Sequence, residues 1–181
     1  RYNTVGVTAL PQGRNGVKAF IPVARIADML LHPGEPFDYD GARHTYPHIK
    51  LAYWAGGNPF HHHQDLHRLR EAFCRLDTLI VNEIAWTATA RHADIVFPST
   101  MTLEREDIGG TPTDPLLVAM HRVVPPVGQA RDDYDIFAAL AERLGRREAF
   151  TEGRDARGWL RHLYERTRAQ LLEQGHEAPD F

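Results

Sequence analysis

A glycine-rich loop that runs into three consecutive histidines carries the densest group of potential ligand-binding side chains in this sequence. It reads Trp54-Ala-Gly-Gly-Asn-Pro-Phe-His-His-His-Gln-Asp65. Gly57 would let a ligand approach the backbone closely, and Asn58 and His62 add hydrogen-bonding side chains. A helix after the loop would offer free N–H groups to a phosphate. A tight turn at the Asn-Pro step is the simpler interpretation, but the histidines favour ligand binding.

The three histidines also raise the hypothesis of a metal-binding protein, since imidazoles suit zinc, nickel and copper. Consecutive residues point in different directions, however, and neither an HExxH motif nor a nearby cysteine completes a ligand set. Cys74 is the only cysteine, which excludes a disulfide framework and a CxxC site. We therefore expect no metal ligand in this segment, and adventitious nickel binding instead.

Two further loops hold candidate binding residues that each allow two interpretations. Glu83 follows a predicted strand, where it could hold a ribose or base, or solvate the next turn. Thr87 and Thr89 could donate to phosphate oxygens or cap a helix. Arg105 lies between two glutamates and suits either a solvated ion-pair run or a phosphate, which its planar guanidinium fits well. Asp135 begins a helix and could accept from the exocyclic amine of a base or serve the helix dipole.

The elements that must position these side chains belong to an ordinary globular chain of 181 residues. Hydrophobic residues make up 43% and charged residues 25%, which excludes wholesale disorder. The net charge of −3 provides no general basic field, so we expect no nucleic-acid partner. No apolar run approaches about eighteen residues, so we expect no membrane span.

Short apolar strands alternate with amphipathic helices along the middle of the chain. The patterns predict strands over 49–55, 78–81, 93–98 and 118–124, helices over 22–31, 65–75, 132–145 and 155–174, a helical turn over 86–92, and loops over 33–48 and 99–117. This alternation predicts an α/β fold, a parallel sheet flanked by helices in a Rossmann-like dinucleotide-binding topology. Ligands bind beyond the carboxyl ends of such strands, which singles out the loops 56–63, 82–89 and 99–110. The sequence contains no GxSxG, Walker A or GxGxxG motif, and its loops do not make up a complete catalytic apparatus.

The same loops carry long motifs by which the chain resembles the molybdopterin oxidoreductases of the dimethyl sulfoxide reductase family. The resemblance is greatest to the biotin sulfoxide and trimethylamine N-oxide reductase branch. The matching stretches are Phe20-Ile-Pro-Val-Ala-Arg-Ile-Ala-Asp-Met-Leu-Leu, Tyr53-Trp-Ala-Gly-Gly-Asn-Pro-Phe-His-His-His-Gln-Asp-Leu, Trp86-Thr-Ala-Thr-Ala-Arg-His-Ala-Asp-Ile-Val, Leu103-Glu-Arg-Glu-Asp-Ile and Ala130-Arg-Asp-Asp-Tyr-Asp-Ile-Phe. They extend over nearly the whole chain, to about Gly145.

The resemblance implies a large enzyme that carries molybdenum on two molybdopterin guanine dinucleotides. It predicts a loop-rich N-terminal segment with one helix (1–48), an α/β domain that grips one dinucleotide (49–150) and a C-terminal helical extension (151–181). By motif position it assigns cofactor contacts to Asn58, His62, Arg105 and Asp135, and Glu83 matches an acidic position after the middle strand. Gly57 and Thr87, from the loops described above, complete the predicted cofactor-binding set.

The molybdenum ligand of this branch is a serine in an earlier domain, and no segment here resembles its surroundings. We therefore expect no activity from this segment alone. The complete enzyme would reduce S- or N-oxides by oxygen-atom transfer, with its remaining domains, a small-molecule oxide and an electron donor as partners. A cytoplasmic location is expected, because the branch has cytoplasmic members. The alternative is a stand-alone nucleotide-binding or scaffold module without redox activity.

Overall fold

The computed structural model describes residues 8–14, 16, 20–110 and 116–181. The chain is mixed α/β and forms two compact units. We call Asn15–Ser99 the sheet unit, and Arg1–Arg14 with Thr100–Phe181 the helical unit. The domain boundaries predicted after residues 48 and 150 stay a prediction. Over the described ranges, no helix combines the length and the apolar character needed to cross a membrane.

A three-stranded parallel sheet organises the sheet unit. The elements of this unit are β1 (Pro36–Tyr39), β2 (Ala42–Thr45), β3 (Leu51–Ala55), β4 (Thr78–Glu83), β5 (Ile95–Pro98), α1 (Ile26–Leu31), α2 (Pro59–His62) and α3 (Leu66–Phe73). The strand order is β3-β4-β5, with Leu51 opposite Thr78 and Ile80 opposite Ile95. Helices α2 and α3 connect β3 to β4, because parallel strands need a crossover. The predicted parallel sheet with flanking helices is confirmed, with small shifts at the strand ends.

Helix α3 packs the sheet unit's main hydrophobic core. Its first turn is capped by the Asp65 carboxylate, which accepts from the backbone N–H of Arg68 at 3.1 Å. Leu69 on α3 is buried in one cluster with Leu79 and Val81 of β4. Burial of each such side chain contributes roughly 1.5–3 kcal/mol. This packing fixes β4 and hence the loop that follows it.

The prediction of a loop over 33–48 is wrong, because β1 and β2 form an antiparallel hairpin there. Asp40 (φ 50°) and Gly41 (φ 72°) make the two-residue turn, a combination typical of hairpins. Of the β1 residues only Phe37 is buried, and its ring stacks on Tyr46 at 4.2 Å between centroids. These short strands therefore lack the alternation of apolar and polar residues by which a strand is recognised.

Two weaker predictions in the sheet unit are confirmed in modified form. The helix expected over 22–31 begins as a 3₁₀ turn at Val23–Arg25 and continues as α1. The helical turn expected over 86–92 narrows to a 3₁₀ turn at Ala90–His92.

Over its described residues, the helical unit contains a small antiparallel sheet and three α-helices. These elements are β6 (Asp107–Gly110), β7 (Leu117–Met120), α4 (Asp133–Arg143), α5 (Arg147–Thr151) and α6 (Ala156–Glu173). The helices predicted over 132–145 and 155–174 are confirmed as α4 and α6. The Asp155 carboxylate caps α6 by accepting from the Gly158 N–H at 2.7 Å.

The strand predicted over 118–124 is wrong as a fourth strand of the parallel sheet. Strand β7 instead pairs antiparallel with β6, with Asp107 opposite Met120. The loop predicted over 99–117 is therefore wrong at β6, and its residues 111–115 lie outside the described residues. Beyond β7 the chain leaves the sheet, and the backbone N–H groups of Val123 and Val124 donate to the Leu103 carbonyl at 2.9 and 3.1 Å.

Candidate functional site

The loop after β3 is closed by its own histidine. Gly56 and Gly57 have φ values of 82° and 81°, a conformation that glycine adopts without steric cost. The chain then enters α2 at Pro59, and the His62 ring folds back so that its Nε2 accepts from the Asn58 backbone N–H at 3.3 Å. The ring proton of neutral His62 is therefore on Nδ1. Three predicted residues, Gly57, Asn58 and His62, thus lie together in this loop.

The side chain of Asn58 is held by a threonine from the loop after β4. The Thr89 hydroxyl donates to Asn58 Oδ1, and the same hydroxyl oxygen accepts from the Phe60 backbone N–H at 3.4 Å. Thr89 is only 1% exposed. Among the described residues none accepts from Asn58 Nδ2, so this amide group is available to a ligand.

Glu83 and Thr87 bind each other at the end of β4. Glu83 Oε2 accepts from the Thr87 hydroxyl at 2.9 Å, and Oε1 accepts from the Ile84 backbone N–H at 3.0 Å. The Thr87 oxygen also accepts from the Ala90 N–H at 3.2 Å, at the start of the 3₁₀ turn. These contacts give Thr87 the capping role that the sequence allowed, and they fix the Glu83 carboxylate in place.

The three histidines occupy different environments. His61 and His62 are exposed, whereas His63 is half-buried with its ring edge-on to Trp54 at 6.3 Å. The Nε2 atom of His63 is buried without a hydrogen-bond partner among the described residues. Burial, and then the neighbouring His62, lower the pKa of His63. Within the described ranges no group of three or more His, Cys, Asp or Glu residues is arranged to hold a metal ion.

The lowered pKa of His63 predicts a pH dependence of stability. Below its ordinary pKa of 6.5 the unfolded chain takes up a proton at this residue that the folded chain resists. The free energy of unfolding should therefore fall as the pH drops below 6.5, relative to a His63→Leu variant, and the difference should be constant above pH 7.5. Urea unfolding at pH 8 and pH 5 measures it. The exposed His61→Leu variant is the control, and an identical pH dependence for His63→Leu and wild type would contradict the expectation.

In the helical unit Arg105 lies beside a cavity of ≈ 270 Å³. Its Nε donates to Asp107 Oδ2 at 3.1 Å and its Nη1 to the Thr100 carbonyl at 2.8 Å. No described residue is bonded to Nη2. The other lining residues include four carboxylates and two aromatic rings, namely Glu106, Asp107, Asp132, Asp133, Tyr134 and Trp159. The guanidinium is thus oriented by two bonds and keeps donors for a ligand.

Buried Thr100 ties the base of Arg105 to the start of α4. Its hydroxyl donates to Asp132 Oδ1 at 2.7 Å, and its N–H donates to the Arg131 carbonyl at 3.1 Å. Asp135 lies in the first turn of α4 but is not among the described residues that line the cavity. Partial desolvation, and then repulsion from Asp132, raise the pKa of Asp135.

The predicted binding residues therefore fall into two groups. Gly57, Asn58, His62, Glu83 and Thr87 belong to the sheet unit, whereas Arg105 and Asp135 belong to the helical unit. The predicted set omits Thr89, Thr100 and Trp159. The sequence suggested Thr89, like Thr87, as a phosphate donor or a helix cap, but not as the partner of the Asn58 side chain. Thr100 contributes its backbone carbonyl to Arg105, and Trp159 lines the cavity. Residue spacing in the sequence indicates neither contact.

Comparison with known proteins gives one family and several relatives. The family model "Molybdopterin oxidoreductase" matches residues 6–143. Biotin sulfoxide reductase of Cereibacter sphaeroides is 51% identical over 98% of this chain and 24% of its own length. Dimethyl sulfoxide/trimethylamine N-oxide reductase of the same organism is 54% identical over 89% of this chain and 20% of its own length. Trimethylamine-N-oxide reductase of Haemophilus influenzae is 48% identical over 87% of this chain and 20% of its own length.

The match to solved structures covers a smaller part of the chain. Acetylene hydratase from Pelobacter acetylenicus aligns with a TM-score of 0.51 and 27% identity over 58% of this chain and 14% of its own. The chain spans about a quarter or less of the length of the curated relatives it matches.

Proposed function

Because this chain belongs to the molybdopterin oxidoreductase family, as its motifs predicted, we propose that it is the dinucleotide-binding part of a molybdenum enzyme that reduces S- or N-oxides. The names of its relatives, which include biotin sulfoxide, dimethyl sulfoxide and trimethylamine N-oxide reductases, support this substrate class. The β3-β4-β5 order with its helical crossover supports a Rossmann-like topology for the sheet unit. We propose a cytoplasmic location for the complete enzyme.

The proposed cofactor is molybdenum bis(molybdopterin guanine dinucleotide), and the donor chemistry of the helical unit fits one of its nucleotide ends. The Arg105 guanidinium suits a pyrophosphate, because its planar N–H groups match phosphate oxygens. Carboxylates such as Asp132 and Asp133 suit the N–H donors on the edge of guanine, and the rings of Tyr134 and Trp159 suit its faces and edges. Asp135, in the same helical turn, is proposed to hold the guanine end.

In the sheet unit, Gly57, Asn58 and His62 are proposed to hold polar groups on the phosphate or pterin side. The positive φ of Gly57 leaves the backbone open to close approach, and Asn58 keeps its amide N–H groups for an acceptor. Glu83 and Thr87 are proposed to border the same ligand, with their mutual hydrogen bond keeping the carboxylate oriented.

When bound, the cofactor would supply two-electron chemistry that removes the oxygen atom of an S- or N-oxide as water, with uptake of two protons. The residues of this chain would bind and orient it. We propose that the metal ligand and the substrate pocket come from the remaining domains of the same enzyme, and that this part alone is inactive.

The observation that carries the proposal is Arg105, oriented by two bonds beside a cavity of carboxylates and aromatic rings. The test is thermal unfolding of the 181-residue chain with GDP, with ADP and without nucleotide. GDP at about one hundred times its Kd should add roughly 2.7 kcal/mol to the free energy of unfolding. ADP should add much less, because adenine presents an acceptor nitrogen to the carboxylates where guanine presents N–H donors.

The alternative function is a nucleotide-binding or scaffold module without redox chemistry. It is favoured if GDP and ADP stabilise the chain equally. A chain that neither nucleotide stabilises would contradict the proposed guanine site.

A further inference from the structure

We propose that Thr89 is a positioning residue that makes Asn58 a hydrogen-bond donor toward the cofactor. The inference rests on the proposed function, in which Asn58 contacts that ligand. The inference extends the proposed function by stating which end of the Asn58 side-chain amide faces the ligand. It therefore also states which chemical group of the ligand lies opposite.

The hydroxyl group of Thr89 has one proton and can therefore donate one hydrogen bond. Its oxygen already accepts from the Phe60 backbone N–H, and its proton goes to Asn58 Oδ1. Thr89 is 1% exposed, so water does not compete for either bond. A flipped Asn58 amide would place Nδ2 against this hydroxyl and leave the Thr89 proton without its acceptor, which is costly in a buried place.

All but one of the polar groups of Asn58 have partners within the described residues. Its backbone N–H is taken by His62 Nε2, and its carbonyl accepts from the His61 N–H at 2.9 Å. The side-chain oxygen is taken by Thr89, and Asn58 is partly exposed. Only the two N–H groups of Nδ2 have no acceptor among the described residues. The ligand atom opposite Asn58 must therefore be an acceptor, such as a phosphate or carbonyl oxygen.

Three variants separate this role from a structural one. Thr89→Val keeps the shape of the side chain and removes the hydroxyl, whereas Thr89→Ser restores it. Asn58→Asp still accepts from Thr89 but presents an oxygen instead of an N–H group to the ligand. Thr78→Val, at the start of β4, is the matched control in the same unit.

The experiment records the Asn58 side-chain amide by NMR in the unliganded 181-residue chain, and then titrates inorganic pyrophosphate, whose binding is followed on the backbone resonances of Gly57 and Asn58. The Asn58 resonances, assigned by their loss in Asn58→Asp, should move in Thr89→Val and stay in place in Thr89→Ser and Thr78→Val. The affinity for pyrophosphate should fall about 3- to 10-fold in Thr89→Val, the usual effect of one hydrogen bond, and should recover in Thr89→Ser. The pyrophosphate affinity of Asn58→Asp should fall at least as far.

The outcomes distinguish the inference from the proposed function. Unchanged Asn58 resonances in Thr89→Val, or full pyrophosphate affinity in Asn58→Asp, would overturn the inference, whereas thermal unfolding with GDP tests the proposed guanine site of the helical unit. If the wild type does not bind GDP, the proposed guanine site fails. The NMR comparison of Thr89→Val with Thr89→Ser then decides by itself whether Thr89 orients the amide.

Discussion

Replacing Arg105 with alanine is expected to weaken GDP binding by the 181-residue chain roughly 10- to 100-fold, the usual effect of losing a hydrogen bond to a charged group. Its Nε and Nη1 are bonded to Asp107 and to the Thr100 carbonyl, so the guanidinium is oriented before a ligand arrives. Pre-orientation matters because the side-chain entropy has already been lost on folding. Isothermal titration calorimetry with GDP measures the effect.

The companion variant Arg105→Lys should restore little of this affinity. An ammonium group carries the same charge but cannot keep two fixed bonds and still offer a planar pair of N–H groups. Arg143→Ala, an exposed arginine late in α4, is the matched control for charge removal. Thermal unfolding without nucleotide separates lost affinity from lost stability. Equal GDP affinity in Arg105→Ala and Arg143→Ala would contradict the assignment of Arg105 as a phosphate ligand.

The largest loss of stability is expected at the neighbouring Glu104, whose side chain is only 6% exposed. Its Oε2 accepts from the Met101 backbone N–H at 2.7 Å, and its Oε1 accepts from the Val127 N–H at 2.9 Å. Glu104→Ala removes the acceptor of two backbone donors, at about 1–3 kcal/mol for each unsatisfied group. We expect the free energy of unfolding to fall by about 3 kcal/mol in urea titrations.

Glu104→Gln should be intermediate, because one oxygen remains while the new NH₂ group faces a backbone N–H. Glu106→Ala is the matched control, since Glu106 is exposed and bonds to His121 at the surface. The control should stay near the wild-type stability. If Glu104→Ala is as stable as this control, the buried carboxylate does not hold the turn together.

Much of the fold could be predicted because its determinants are local. The apolar residues at helical spacing within 65–75 are sufficient to mark α3, and short apolar runs mark β3, β4 and β5. The pairing of β6 with β7 could not be predicted in this way, because β-pairing depends on contacts between segments rather than on the pattern within either.

The candidate site shows the same division. Residue type and motif position were sufficient to single out Asn58 and Arg105, whose side chains retain unbonded donors among the described residues. The contacts that orient these two side chains were not accessible to pattern reasoning. Thr89 is separated from Asn58 in the sequence by a helical crossover and a strand, and Thr100 acts on Arg105 through its backbone carbonyl.

The contacts between the Leu103–Glu104 turn and Val123–Val127 also determine how this part of the helical unit opens. The amide protons of Val123 and Val124 lie on the Leu103 carbonyl, and that of Val127 lies on Glu104. None of these three protons can exchange with solvent deuterium while the turn keeps its shape. The Leu103–Glu104 turn and Val123–Val127 therefore make up one cooperative unit of local unfolding. A fluctuation that frees the Val127 N–H also loosens the segment that carries Arg105.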